Sequence, residues 1–160
     1  GFKCFANMMN RYTLYNFYSF DMVKVNIFFH CYMRLLKERV PRLAQLMEEL
    51  QIQCSVFLFE WVIALFSNIF SLEISSRLWD SYLFYGDAQL MKICIAISSI
   101  LEKQLNDENF EMLVMMFKSV DLHMTEESLH AALDNIKLTD KQFEQARRAV
   151  EAIPNLERLI

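Results

Sequence analysis

Glycine and proline are nearly missing from this chain: two of each occur in 160 residues. Tight turns between strands rest on those two residue types. Glycine reaches positive φ without strain, and proline presets the first turn position. A sheet protein of this length needs many such turns, so the chain is predicted to be all-α. The apolar content fits a real core: 54% of residues are hydrophobic, including 14 Phe and 10 Met. The length is that of one ordinary domain. A net charge of -4 and a pI near 5.4 leave no electrostatic footprint for nucleic acid.

Residues 60–86 organise the sequence. They read EWVIALFSNIFSLEISSRLWDSYLFYG and hold both tryptophans, Trp61 and Trp79, and the internal glycine, Gly86. Residues 56–70 are apolar except for Glu60, Ser67 and Asn68, which fall on one narrow helical stripe. That pattern predicts a helix central to the core. Its polar members, and its length short of about 20 apolar residues, argue against a membrane span. A second helix is predicted to open at Ser71, an N-cap type, with Glu73 in its first turn. Ile74, Leu78 and Tyr82 share one face of it, and Gly86 stops it in a left-handed conformation.

The remaining segments follow the same logic. Phe5, Met8, Met9 and Tyr12 fall at helical spacing with no cap before them. A helix is therefore expected to be under way from Phe2, with parts of the fold upstream of Gly1. Residues 13–20 read as a packed aromatic loop. A helix over 21–39 buries Val25, Phe28, Phe29, Tyr32, Leu35 and Leu36, with Lys37 and Arg39 at its negative end. Pro41 starts a short helix through Leu50. Residues 87–105 form a strongly buried helix, with Lys92, Ala96, Ser99 and Lys103 on a thin outer stripe. Phe110, Leu113, Val114 and Phe117 mark the inward face of another. Thr125 caps a helix burying Leu129, Leu133 and Ile136. The T-D-K-Q of residues 139–142 is a capping box for the last helix, with Phe143, Ala146, Val150 and Ile153 inward and Glu144 paired to Arg148. The expectation is an irregular array of about nine helices over 1–160, with core helices in 1–105 and terminal helices in 106–160.

Few residues are placed for chemistry. The sequence lacks a glycine-rich phosphate loop and a nucleophile elbow. Cys4, Cys31, Cys54 and Cys94 have no zinc spacing and read as reduced, buried thiols of a cytosolic protein. His30 and Cys31 are adjacent, so on a helix they point apart. His123 and His130 lack a ligand partner in register. No cofactor or metal is expected. Glu60, Arg77 and Asp80 sit in apolar segments, where charges are rarely left unpaired. A structural ion pair is predicted there, between Arg77 and either Glu60 or Asp80.

The block EW-V-I-A-LFS followed by S-R-LWD-S-Y-L-F-Y-G resembles the C-terminal half of the TBC domain, the GTPase-activating module for Rab proteins. The matching residues are Glu60, Trp61, Leu65, Phe66, Arg77, Trp79, Asp80 and Gly86. FKCFANMM at residues 2–9 is similar to the helix after that family's glutamine motif. Val40-Pro41-Arg42-Leu43 is similar to its proline-led short helix. The resemblance implies a Rab GTPase as partner of the parent protein, a role in vesicle trafficking, and a cytoplasmic location, peripheral at endomembranes. It also implies an arginine in I-x-x-D-x-x-R and a glutamine in Y-x-Q, and neither motif occurs in this chain. Both are expected upstream of Gly1, so no catalytic residue is assigned. Arg77 belongs to the structural block. Apolar surface left by the missing start, around residues 2–12, is expected to promote self-association. A non-catalytic helical adaptor on the same fold is the competing reading. A HEAT-like scaffold is disfavoured by the lack of a repeat.

Overall fold

Four of the helices start where a side chain takes up a free backbone N–H. The computed structural model describes residues 10–105 and 110–153, which contain nine α-helices and no strand. They are α1 (Tyr12–Tyr18), α2 (Met22–Arg39), α3 (Pro41–Glu49), α4 (Ser55–Ile63), α5 (Leu72–Tyr85), α6 (Asp87–Glu102), α7 (Phe110–Lys118), α8 (Glu126–Asn135) and α9 (Asp140–Glu151). Asp21, Ser71, Thr125 and Thr139 each accept the amide three residues ahead and so cap α2, α5, α8 and α9. Both threonines sit in reciprocal capping boxes, with Ser128 and Gln142. Pro41 opens α3, where its missing N–H is harmless.

Helix ends are where the expectations fail, and one device explains two of the failures. Three helices close in Schellman motifs built without glycine. After α1, Phe20 N donates to Phe17 O and Asp21 N to Asn16 O, at 3.3 and 3.0 Å. After α3, Gln51 N donates to Glu48 O and Ile52 N to Met47 O, at 3.1 and 2.8 Å. After α4, Leu65 N donates to Val62 O and Phe66 N to Trp61 O, at 3.1 and 2.8 Å. Phe20, Gln51 and Leu65 take the left-handed position, with φ of 55, 54 and 48°. The helix expected over 56–70 therefore stops at Ile63. The aromatic segment 13–20 is not a loop but helix α1 and its cap. Tyr12 begins α1 rather than ending a helix from Phe2, whose remaining predicted residues lie outside the described ones, as does Cys4.

The most enclosed element is α6, not the 60–86 stretch. It packs against α2, α3, α5, α8 and α9. Leu90, Met91, Ile93, Cys94, Ile95, Ala96 and Ile97 are all buried. Ala96, expected on the outer stripe, is buried because helices cover α6 on nearly every side. Tyr32 on α2 and Ser98 on α6 share a hydrogen bond of 2.7 Å, which satisfies both hydroxyls inside the core. The other long helix, α2, contacts α1, α3, α6 and α9, while α4 joins α1 to α7. One buried cluster runs from Leu14 to Val150, so α7, α8 and α9 share the core of the preceding helices.

Smaller departures follow from packing. Phe110 and Ile153, expected inward, are 49% and 41% exposed. On α9, Glu144 pairs with Arg147 at 2.6 Å, not with Arg148. Arg147 also reaches Glu151 and lies over the Tyr12 ring, which ties α9 to α1.

Candidate functional site

The signature residues meet at the end of α4. Trp61 is 1% exposed and lies against Phe57, whose ring stacks on Phe117 at 3.7 Å. Its indole Nε1 donates to Phe117 O at 3.1 Å. That carbonyl belongs to the last turn of α7, where helical carbonyls have no partner within their own helix. Trp61 thus closes α7 from a neighbouring element. Trp79 does the equivalent for the turn after α4, since its Nε1 donates to Leu65 O. Ser75 Oγ donates to the next carbonyl, Phe66 O, at 3.3 Å.

Two consecutive residues with positive φ, Leu65 and Phe66, are therefore held by two donors from α5. Their own side chains are buried. A left-handed non-glycine residue costs on the order of 1–2 kcal/mol, and here burial and hydrogen bonding offset that strain. Trp61, Leu65, Phe66 and Trp79 form one knot. Trp79 itself is only half-buried, less than expected of a core tryptophan.

The predicted ion pair is not formed. Glu60 and Asp80 are exposed, and among the described residues neither pairs with Arg77. Arg77 instead contacts Glu73 at 3.0 Å, one turn away on α5, and Glu126 on α8. The charges on α5 face solvent and the cleft beside it, so the water they keep removes the need for an internal partner. His130 Nε2 stands 3.5 Å from the same Glu126 oxygen.

Gly86 joins α5 to α6. Its φ of 86° and ψ of -159° lie outside the expected left-handed well, in a region open essentially to glycine. Its N–H still closes α5 on Tyr82 O, at 2.7 Å. The following Asp87 accepts the Tyr82 hydroxyl at 3.0 Å and the Thr13 amide at 3.3 Å. Arg11 donates to Leu83 O, so the start of α1 is clamped onto the same corner.

Beside this corner runs a cleft of about 630 Å³ between α5, α6, α8 and the start of α9. Leu78, Leu129 and Leu133 form its apolar floor, and Arg77, Lys92, Glu126, Asp134 and Asp140 its charged rim.

The three described cysteines are not tuned for nucleophilic attack. Burial pushes the Cys31 and Cys54 thiols up to about 12, and Cys94 higher still. His30 is half-buried beside the buried Cys31, and the His123 ring bonds Gln104. Among the described residues no group of three or more His, Cys, Asp and Glu is placed to hold a metal ion. Nor is any helix among them long and apolar enough to cross a membrane.

Ser75, Asp87, Phe117 and Glu126 were not singled out in the sequence as partners of the signature residues. Only the position of Ser75, four residues before Trp79, hinted at a shared helical face.

Comparison with known proteins places this knot in a family. Residues 1–106 match the Rab-GTPase-TBC domain, about two-thirds of the chain. A TBC domain-containing protein of Schizosaccharomyces pombe is 27% identical over 137 residues, 84% of this chain and 29% of that protein. Human TBC1 domain family member 14 is 20% identical over 92% of the chain, and 21% of its own length is covered. The GTPase activating protein Gyp51 of Schizosaccharomyces pombe is 26% identical over 74% of the chain and 11% of its own length. The chain thus spans less than a third of these relatives. The match takes in the whole of the block from Glu60 to Gly86, whose tryptophans, left-handed turn and glycine corner form one assembly, and the chain belongs to the Rab-GTPase-TBC domain family.

Proposed function

We propose that this chain is the C-terminal half of a GTPase-activating domain whose parent accelerates GTP hydrolysis by Rab-family GTPases. The observation that carries this reading is the family match across residues 1–106 together with the folded signature knot. In this reading residues 1–105 supply the core helices and 106–160 the terminal helices. Glu60, Trp61, Leu65, Phe66, Arg77, Trp79, Asp80 and Gly86 act as framework, completing the core and one wall of the GTPase groove. The parent would work in the cytoplasm, peripheral at endomembranes through its partners, in vesicle trafficking.

Phosphoryl transfer needs charge placed on the transferring group and a positioned water, and a finger arginine supplies about 10³–10⁵ in rate. This chain contains neither I-x-x-D-x-x-R nor Y-x-Q. By itself it is expected to add nothing to hydrolysis, and its buried thiols and framework charges offer no substitute.

The test is phosphate release from a panel of GTP-loaded Rab proteins. The fragment alone should leave the intrinsic rates unchanged. The parent domain carrying both motifs should raise at least one of them, and replacing its motif arginine should remove most of the gain. Stimulation by the bare fragment would refute the division of labour. Silence of the folded parent domain across the panel would favour the second reading, a non-catalytic helical adaptor.

A further inference from the structure

We propose that the cleft between α5, α6 and α8 is a docking site for a basic segment of a partner protein, with Tyr85 as an aromatic anchor on its lining and Phe84 packed beside that ring. The site goes beyond the GTPase reading and shares with it Arg77, a framework residue on the cleft's rim. It is built jointly by α5 and α6, inside the matched family region, and by α8 and α9, outside it.

Charge selects the occupant. Arg77 is neutralised by Glu126 on the rim and by Glu73, one turn away on α5. Asp134 and Asp140 are exposed, and neither pairs with a cation among the described residues. Lys92 lies on the α6 wall, half-buried. Among the described residues the unpaired charges on the rim are therefore the Lys92 ammonium on the α6 wall and the carboxylates of Asp134 and Asp140 from α8 and α9, so carboxylate is in excess, on a chain that is itself acidic. A lysine or arginine side chain fits that end.

The aromatic pair supplies the apolar part. Phe84 and Tyr85 are 79% and 63% exposed, although their rings pack edge-on at 4.8 Å and 75°. They are rigidly presented. Gly86, Asp87, Tyr82, Thr13 and Arg11 lock the backbone on both sides of them. Ordered, solvent-facing aromatics cost little entropy to engage, which is why such residues dominate binding surfaces. Tyr85 lines the cleft together with Asp134 and Asp140. A cationic side chain can lie on its ring face, while neighbouring apolar residues cover Phe84. The floor leucines are already buried, and the polar groups stand on an open rim drawn from four elements. That arrangement suits a segment lying across the cleft rather than a small molecule enclosed by it.

The probe is a phage-displayed library of linear peptides selected on the intact chain. Enriched peptides are measured by fluorescence polarisation and mapped by amide chemical shifts. Enriched sequences should carry Arg or Lys beside apolar residues, shift Ser81, Gln89 and His130, and bind more weakly as salt rises. The double variant Asp134→Asn with Asp140→Asn, and separately Tyr85→Ala, should each weaken binding by about tenfold or more. All of these residues but Gln89 and Ser81 are exposed, and unchanged circular dichroism will show that the variants fold. Enrichment of acidic peptides would mean that Lys92 governs the cleft, and would overturn the proposal. So would failure to enrich basic peptides, or basic peptides whose affinity the three substitutions leave within about twofold.

Discussion

Replacing Trp61 tests the reasoning about the knot at its most enclosed point. Trp61→Ala removes an indole that is 1% exposed and leaves Phe57 and Phe117 lining a cavity. Large aromatic-to-alanine changes in cores cost about 3–5 kcal/mol. Against a total stability of about 5–15 kcal/mol, that loss can unfold the domain outright. Trp61→Phe is the sharper variant. It keeps an aromatic ring beside Phe57 but deletes Nε1, the donor to Phe117 O at 3.1 Å. A buried carbonyl left without its donor costs about 1–3 kcal/mol. Urea unfolding followed by far-UV circular dichroism reads both losses without relying on tryptophan emission. Because the bond closes α7, Trp61→Phe should also speed amide exchange in α7 more than in α5. A loss below about 0.5 kcal/mol for Trp61→Phe, with α7 protection unchanged, would refute the capping role. A loss below about 1 kcal/mol for Trp61→Ala would refute its place in the core.

Three further outcomes are expected. Gln51 is exposed at φ 54°, so Gln51→Gly should relieve left-handed strain and, after the entropy glycine adds to the unfolded chain, raise stability by about 0.5 kcal/mol in thermal or urea melts. Gly86→Ala should cost about 1–3 kcal/mol for its backbone conformation alone, since a Cβ there meets only Arg11 Nη1 at an ordinary 3.5 Å; an unchanged melt would show that the corner tolerates side chains. Burial holds the Cys31 and Cys54 thiols protonated to about 12 against an ordinary 9.0, so the unfolded chain loses these protons first as pH rises. Stability should therefore be intact below pH 9 and fall between pH 9 and 12, by up to about 1.4 kcal/mol per pH unit for each thiol. Replacing both cysteines with alanine should make that part of the curve shallower, leaving the fall that Cys94 and the buried tyrosines Tyr32 and Tyr82 contribute.

Much of the fold is legible in the residues because the signals are local. A chain with two glycines and two prolines in 160 residues has little means to turn strands, and it is helical. Asp21, Pro41, Ser71, Thr125 and Thr139 start helices through contacts within a single turn, so their spacing is enough to place them. The signature from Trp61 to Gly86 marks the family for the same reason. Each helix in it must present a fixed face at a fixed interval.

What tertiary structure alone decided are the matters settled by groups far apart in sequence. Phe20, Gln51 and Leu65 end helices in a conformation their side chains disfavour, and nothing in their identity announces it. For Leu65 and Phe66 the deciding donors are Trp79 and Ser75, on the next helix. Trp61 is sealed by Phe117, 56 positions on, and Arg77 is drawn to Glu126, 49 positions on, rather than to Glu60 or Asp80. The cleft beside α5 exists because α8 and α9 pack against the core, and no local pattern encodes that placement. Local sequence selects helices by short-range sterics and capping. Where they stop, and which charges meet, depends on the packing that brings distant donors within reach.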